Sequence, residues 1–100
     1  MMWLEEDGVD MHNAITLIKE ASERYAPRSS NADQYCVVTS EIEELSHELW
    51  ISDYAPSADA AKECADVIIA AVRLGTMLSP DFAQVILDKC KELNEREPLK

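Results

Sequence analysis

Residues 35–49 are YCVVTSEIEELSHEL, and this stretch decides the fold. Its apolar residues recur at alternating steps of three and four, which is the period of an amphipathic α-helix and the pattern of a helix-bundle seam. The seam residues are Tyr35, Val38, Ile42, Leu45 and Leu49. The pattern predicts a helix that begins near residues 31–33 and ends before Pro56.

The next segment predicts a second helix of a different composition. Ser57 is a good N-cap, and the helix is expected to continue to about Gly75. Between residues 60 and 74, apolar side chains cover well over half of the helix circumference. Such a helix is expected to contact neighbours on two sides.

Two further helices flank this pair. Residues 10–25 place an apolar stripe on one face, and the sequence Ser79-Pro80-Asp81 predicts the start of a last helix with Ser79 as its N-cap. The last helix is expected to bury Phe82, Val85, Ile86 and Leu93. The chain is thus predicted to be one all-α, four-helix bundle domain over residues 1–100, with a lead-in at about 1–9 and a tail at about 97–100.

The amino-acid composition of the chain limits the classes of partner that it can bind. The chain has 20 acidic and 9 basic residues and a formal net charge of −11, which argues against binding to nucleic acid or to an anionic membrane surface. Three scattered cysteines suggest neither a disulfide framework nor a zinc site, and no apolar run approaches the roughly 20 residues of a membrane span. We expect a soluble cytoplasmic protein. Its small size and wide apolar arc favour completion of the core by dimerisation or tetramerisation.

If the chain has a catalytic or metal-binding site, the carboxylates of the two central helices are its candidate residues. Glu41, Glu44 and Glu48 fall within about 60° of one another on the first of these helices, and Glu63 and Asp66 are three residues apart on the second. If the helices pack antiparallel, the acidic pairs face one another. Such an all-oxygen donor set suits Mg²⁺ or Mn²⁺, although an acidic stripe on a bundle helix is more often only a solvated face.

The two acidic motifs carry a family resemblance. Glu41-Ile-Glu-Glu44-Leu-Ser-His-Glu-Leu, followed by Glu63-Cys-Ala-Asp66-Val-Ile-Ile, resembles the MazG-like all-α nucleoside triphosphate pyrophosphohydrolases, whose signature is E-E-x-x-E and then E-x-x-D. The resemblance implies metal ligands at Glu41, Glu44, Glu63 and Asp66, with Mg²⁺ as the cofactor and Mn²⁺ as a substitute. It also implies a homodimer or homotetramer that hydrolyses a (deoxy)nucleoside triphosphate to the monophosphate and pyrophosphate in nucleotide-pool house-cleaning.

Other roles come partly from the resemblance and partly from position. Glu44 or Glu48 is the expected catalytic base. The resemblance implies substrate contacts at Lys91, Asn94 and Arg96. Position adds Arg73, which shares the Asp66 arc and is a phosphate ligand or an ion-pair partner, and Trp50, which is a packing residue or a platform for the base. Ser40 replaces the first glutamate of the signature, and Ala70 stands where many relatives place an aromatic residue. These departures favour the alternative, a catalytically silent helical assembly or regulatory module. They also leave the substrate open among damaged nucleotides, dCTP, dUTP and phosphoribosyl-ATP.

Overall fold

The computed structural model describes residues 11–25 and 30–96, which form four α-helices without a β-strand. In chain order they are α1 (Met11–Tyr25), α2 (Asn31–Ile51), α3 (Ala58–Leu78) and α4 (Phe82–Glu95). The all-α prediction is confirmed over this part of the chain. The expected lead-in at about 1–9 and tail at about 97–100 lie outside the described residues. None of these four helices combines the length and the hydrophobicity that a bilayer crossing requires.

Serine caps begin the two central helices. Ser30 Oγ accepts a hydrogen bond of 3.0 Å from the backbone N–H of Asp33, and Ser57 Oγ accepts one of 3.1 Å from the N–H of Ala60. Each bond satisfies a donor that the first turn of a helix leaves unpaired. The predicted starts of both helices are therefore confirmed.

A short reversal at residues 52–57 joins α2 to α3. Asp53 and Tyr54 adopt left-handed backbone angles, with φ of 54° and 60°. The N–H of Tyr54 donates to the carbonyl oxygen of Leu49 at 2.8 Å, which closes the last turn of α2. This tight connection makes α2 and α3 antiparallel neighbours.

The central helix is α3, which contacts α1, α2 and α4. Helix α1 also contacts α4, whereas α2 contacts neither α1 nor α4 within the described ranges. The pairing of α2 with α3 is the most extensive of all. Helices α1 and α2 therefore lie on different sides of α3, as its wide apolar arc predicted.

The hydrophobic core lies between α1, α3 and α4. Its buried members are Ile15, Val72 and Ala83, and its partly buried members are Met11, Ile18, Phe82 and Ile86. The Phe82 ring occupies the space that a side chain on Gly75 would need. Gly75 thus allows the start of α4 to approach the end of α3 closely.

The junction between α3 and α4 differs from the prediction. Helix α3 continues past Gly75 to Leu78, and Gly75 lies inside the helix at this close contact. Ser79 is the C-cap of α3, and its N–H donates to the Gly75 carbonyl at 2.9 Å. The predicted N-cap at Ser79 is therefore wrong, and Asp81 holds that position before α4.

Two predictions of burial are also wrong. On α4, Val85 and Leu93 are exposed, because this helix packs against α1 and α3 but not against α2. On α2, Tyr35 is 60% exposed and Ile42 is 46% exposed. The side chains of α2 that are at least partly buried are Gln34, Val38, Thr39, Glu41, Leu45, Glu48 and Leu49. Three residues of the predicted seam thus stay inward, and polar side chains share the inward face with them.

We expect Gly75→Ala to lower the free energy of unfolding by about 1 kcal/mol, measured by chemical denaturation. Alanine gains about 1 kcal/mol of helix propensity over glycine. Its Cβ would nevertheless overlap the Phe82 ring, and overpacking of this kind costs about 1–3 kcal/mol.

The matched background is Phe82→Ala, in which the obstructing ring is gone. There the same Gly75→Ala change is expected to stabilise the protein by about 1 kcal/mol, because only the propensity gain remains. The close contact would be disproved if the substitution had the same sign in both backgrounds.

Candidate metal and substrate site

The antiparallel pairing brings the acidic motifs of α2 and α3 together. Glu41, Glu44 and Glu63 each offer a carboxylate oxygen, and these three oxygens lie within 4.8 Å of one another. We call these three residues the acidic cluster. Glu41 and Glu44 are one turn apart on α2, and the facing turn of α3 supplies Glu63.

Two further carboxylates border the acidic cluster. The negative charge of Asp66 acts on both Glu41 and Glu63, and that of Glu48 acts on Glu63. The structure therefore brings three of the four predicted metal ligands into one group, and the charges of the fourth, Asp66, and of Glu48, one of the two expected catalytic bases, act on that group.

Burial and like charge act together on the acidic cluster. Glu41 and Glu63 are half-buried, and each has an Oε2 atom that is shielded from solvent and has no hydrogen-bond partner among the described residues. Burial raises the pKa of both carboxyl groups above the ordinary value, and the charges of Glu44 and Asp66 raise each pKa further. The arrangement thus disfavours the charged form of the very groups that face one another.

A cavity of about 460 Å³ opens beside the acidic cluster. It occupies the gap between α1 and α2, with α3 as its floor. Glu41 and Asp66 line one part, and Gln34 and Arg73 lie two helical turns further along α2 and α3 respectively. Apolar side chains such as Ile69 form much of the remaining wall. A mostly apolar cavity with a few polar groups at fixed positions is typical of small-molecule sites.

Arg73 and Gln34 are the buried polar residues of this cavity. The Arg73 side chain is only 5% exposed, and its Nη1 atom lies 3.5 Å from Ser22 Oγ of α1. Gln34 is 2% exposed, and its Nε2 atom donates to the carbonyl oxygen of Ala70 at 3.0 Å. Gln34 carries no recognised motif, and only its position four residues before Val38, on the inner face of α2, marks it in the sequence.

The other predicted substrate residues lie elsewhere in this chain. Trp50 is 76% exposed near the end of α2. Lys91, Asn94 and Arg96 are exposed at the end of α4, which does not contact α2. Arg96 pairs with Glu92 at 3.1 Å. None of these four residues lines the cavity beside the acidic cluster, whereas Arg73 does.

Comparison of the chain with known protein families, curated proteins and solved structures finds no match. The site is therefore interpreted from its own geometry.

In metal-free buffer, we expect the free energy of unfolding to rise as the pH falls from neutral towards 4.5, which is the ordinary pKa of a glutamate side chain. The folded state holds protons on Glu41 and Glu63 at a higher pH than the unfolded chain does, because both pKa values are raised. This contribution is complete below the unfolded pKa and is lost as the pH rises through the folded pKa values. Thermal unfolding followed by circular dichroism over this range measures it.

The test compares the double variant Glu41→Gln/Glu63→Gln with the single variant Glu43→Gln as the control. Glu43 is exposed on the same helix and takes no part in the acidic cluster. The double variant is expected to lose much of the gain in melting temperature on acidification, and the control is expected to keep it. An identical pH dependence in the wild type and the double variant would contradict the electrostatics described here.

Proposed function

We propose that this protein is a Mg²⁺-dependent nucleoside triphosphate pyrophosphohydrolase of the MazG-like type. The observation that carries the proposal is the convergence of Glu41, Glu44 and Glu63 from two antiparallel helices, beside a cavity of about 460 Å³ that Glu41 and Asp66 line. All three belong to the acidic motifs that resemble the MazG-like signature, and Asp66 is the fourth ligand that the resemblance implies.

The donor set of the acidic cluster fits Mg²⁺. A Mg²⁺ ion holds oxygen ligands at about 2.1 Å, so that two ligand oxygens of one ion lie about 3–4 Å apart. The carboxylate oxygens of the acidic cluster, within 4.8 Å of one another, need only small side-chain rotations to reach that spacing. The shielded Oε2 atoms of Glu41 and Glu63 have no hydrogen-bond partner among the described residues, which leaves their lone pairs for a cation.

Charge balance favours the same assignment. A chain of net charge −11 repels a triphosphate, and the acidic cluster would repel it most strongly. Mg²⁺ bound there would neutralise the phosphates and lower the pKa of a water molecule for attack on phosphorus. The P–O bond between the α- and β-phosphates then breaks, and the products are a nucleoside monophosphate and pyrophosphate.

Glu48 is our choice for the general base. Its charge acts on Glu63, but it lies outside the acidic cluster, whereas Glu44 is a member of it. A carboxylate that is not committed as a metal ligand is free to accept the proton of the attacking water. Glu48 is half-buried on the inner face of α2, which holds it towards α3, whereas Ser40 is exposed.

We expect pyrophosphate release from at least one ribo- or deoxyribonucleoside triphosphate in the presence of Mg²⁺. Glu63→Gln is expected to lower the rate at least about a hundredfold by removing a metal ligand, and Glu48→Gln is expected to lower kcat by about 10²–10⁴-fold by removing the base. The matched control Glu43→Gln removes an exposed carboxylate of α2 and is expected to keep full activity. A pyrophosphate-release assay over a nucleotide panel measures all four proteins.

Binding of Mg²⁺ separates the proposed enzyme from a silent helical module. Millimolar Mg²⁺ is expected to raise the melting temperature of the wild type and of Glu48→Gln, but not of Glu63→Gln, because only the last variant lacks a ligand. Failure to hydrolyse any triphosphate, together with no stabilisation by Mg²⁺ or Mn²⁺, would instead support the silent assembly or regulatory module.

We also propose that the functional unit is a homo-oligomer. Only five apolar residues are buried among those described, and many large apolar side chains are exposed on α2, α3 and α4. Tyr35 and Ile42 lie seven residues apart on the outer side of α2 and together form an apolar stripe that this chain leaves uncovered. A second copy would cover such a surface.

Light scattering coupled to size-exclusion chromatography is expected to give the mass of a dimer or tetramer. Ile42→Glu places a charge in the apolar stripe and is expected to shift the protein towards the monomer, because burial of an unpaired carboxylate is costly. A wild-type protein that elutes with the mass of a monomer at micromolar concentration would contradict the oligomer.

A further inference from the structure

Gln34 is a buried amide with an unused acceptor. Its side chain is 2% exposed, and its Nε2 atom is held by the carbonyl oxygen of Ala70 at 3.0 Å. No described residue donates a hydrogen bond to its Oε1 atom, and this atom is not among the side-chain atoms fully shielded from solvent. Because Gln34 lines the cavity, the small accessible part of its side chain opens into it.

A buried amide oxygen without a donor is unfavourable, and proteins pair nearly all such atoms. The Oε1 atom of Gln34 is therefore available to accept a hydrogen bond from water or from a ligand that enters the cavity. Val37, Ile69 and Ala70 form the apolar part of the wall at this end, and Arg73 and Ser22 are its other polar residues. Because Arg73 is a donor only, the Gln34 side chain supplies a fixed acceptor that can orient a ligand.

The spacing suits a nucleoside. Gln34 and Glu41 are seven residues apart on α2, which is a rise of about 10 Å. This separation is comparable with the length of a nucleoside from the edge of its base to its 5′ oxygen. The small side chain of Ala70 leaves the space beside the Gln34 amide open, and the cavity volume of about 460 Å³ lies within the range of small-ligand sites.

We propose that this cavity is the nucleoside subsite and that Gln34 determines base specificity by accepting a hydrogen bond from a ring N–H or an exocyclic amino group of the base. The choice of a nucleoside as the ligand and the orientation of its phosphates towards the acidic cluster rest on the proposed function. The contact with the base can be measured without hydrolysis, because it involves only Gln34 and the cavity.

Uncharged nucleosides test the base contact without metal or hydrolysis. The side-chain amide signals of Gln34 in a ¹H–¹⁵N spectrum are identified by their loss in Gln34→Met, and they are followed during titration with each of the four common ribonucleosides. We expect them to shift with at least one base. The methylated form of that base, in which the donor hydrogens are replaced, as in N3-methyluridine or N6,N6-dimethyladenosine, is expected to bind the wild type at least about tenfold more weakly.

Gln34→Met is the matched variant, because it keeps the length of the side chain and removes the acceptor. It is expected to bind the methylated and unmethylated nucleosides equally. Since Gln34→Met also loses the bond to Ala70, a second variant guards against misfolding. Val37→Phe narrows the cavity from a partly exposed position. It is expected to weaken the binding of all nucleosides at least about tenfold and to keep the preference for unmethylated over methylated bases.

The outcomes separate this inference from the proposed function. Equal binding of methylated and unmethylated nucleosides by the wild type, or discrimination that persists in Gln34→Met, would overturn the role of Gln34 even if triphosphates are hydrolysed. If the protein releases no pyrophosphate but still prefers unmethylated nucleosides through Gln34, the nucleoside subsite would be supported. Only the proposed hydrolase activity would then be overturned.

Discussion

The contact between α2 and α3 is the constraint on which the other features depend. Helix α2 meets α3 with a mixed face in which Gln34, Glu41 and Glu48 alternate with Val38 and Leu45. A purely apolar face would gain more from burial. Because polar groups occupy these positions, the same contact that joins the helices also creates a row of shielded carboxylates and one buried amide. These polar groups lower the free energy of unfolding at the contact between α2 and α3, and a ligand that binds them there would stabilise the protein.

Helix α3 makes this arrangement possible because it supports three neighbours. Small residues at its contacts, such as Ala60, Ala70 and Gly75, are buried and allow other helices to approach closely. Helices α1 and α4 cover one side and form the small core with it, and α2 covers another. Since α1 and α2 do not touch, the gap between them remains open as the cavity. The cavity is thus a consequence of helix arrangement.

The position of the cavity changes how Ala70 is understood. From the resemblance alone, an alanine in place of an aromatic residue counts as a loss of nucleoside recognition. In the structure, the carbonyl oxygen of Ala70 holds the amide of Gln34, and its small side chain borders the cavity. The nucleoside contact that we propose therefore lies on α2. Arg73, one of the predicted substrate residues, lies buried at the same cavity.

The sequence by itself determined the helices and the acidic motifs, because both are local. Serine caps and apolar periodicity depend on neighbours a few residues away, and so does the spacing of Glu41 with Glu44 and of Glu63 with Asp66. Only the tertiary structure decided which face of α2 turns inward. The inward face includes Gln34, whose amide donates to the carbonyl oxygen of Ala70 thirty-six residues away, and no local pattern contains such a contact. The tertiary structure also left Tyr35 and Ile42 outside, placed Arg73 at the cavity and kept the end of α4 away from α2, since these outcomes arise from packing around α3.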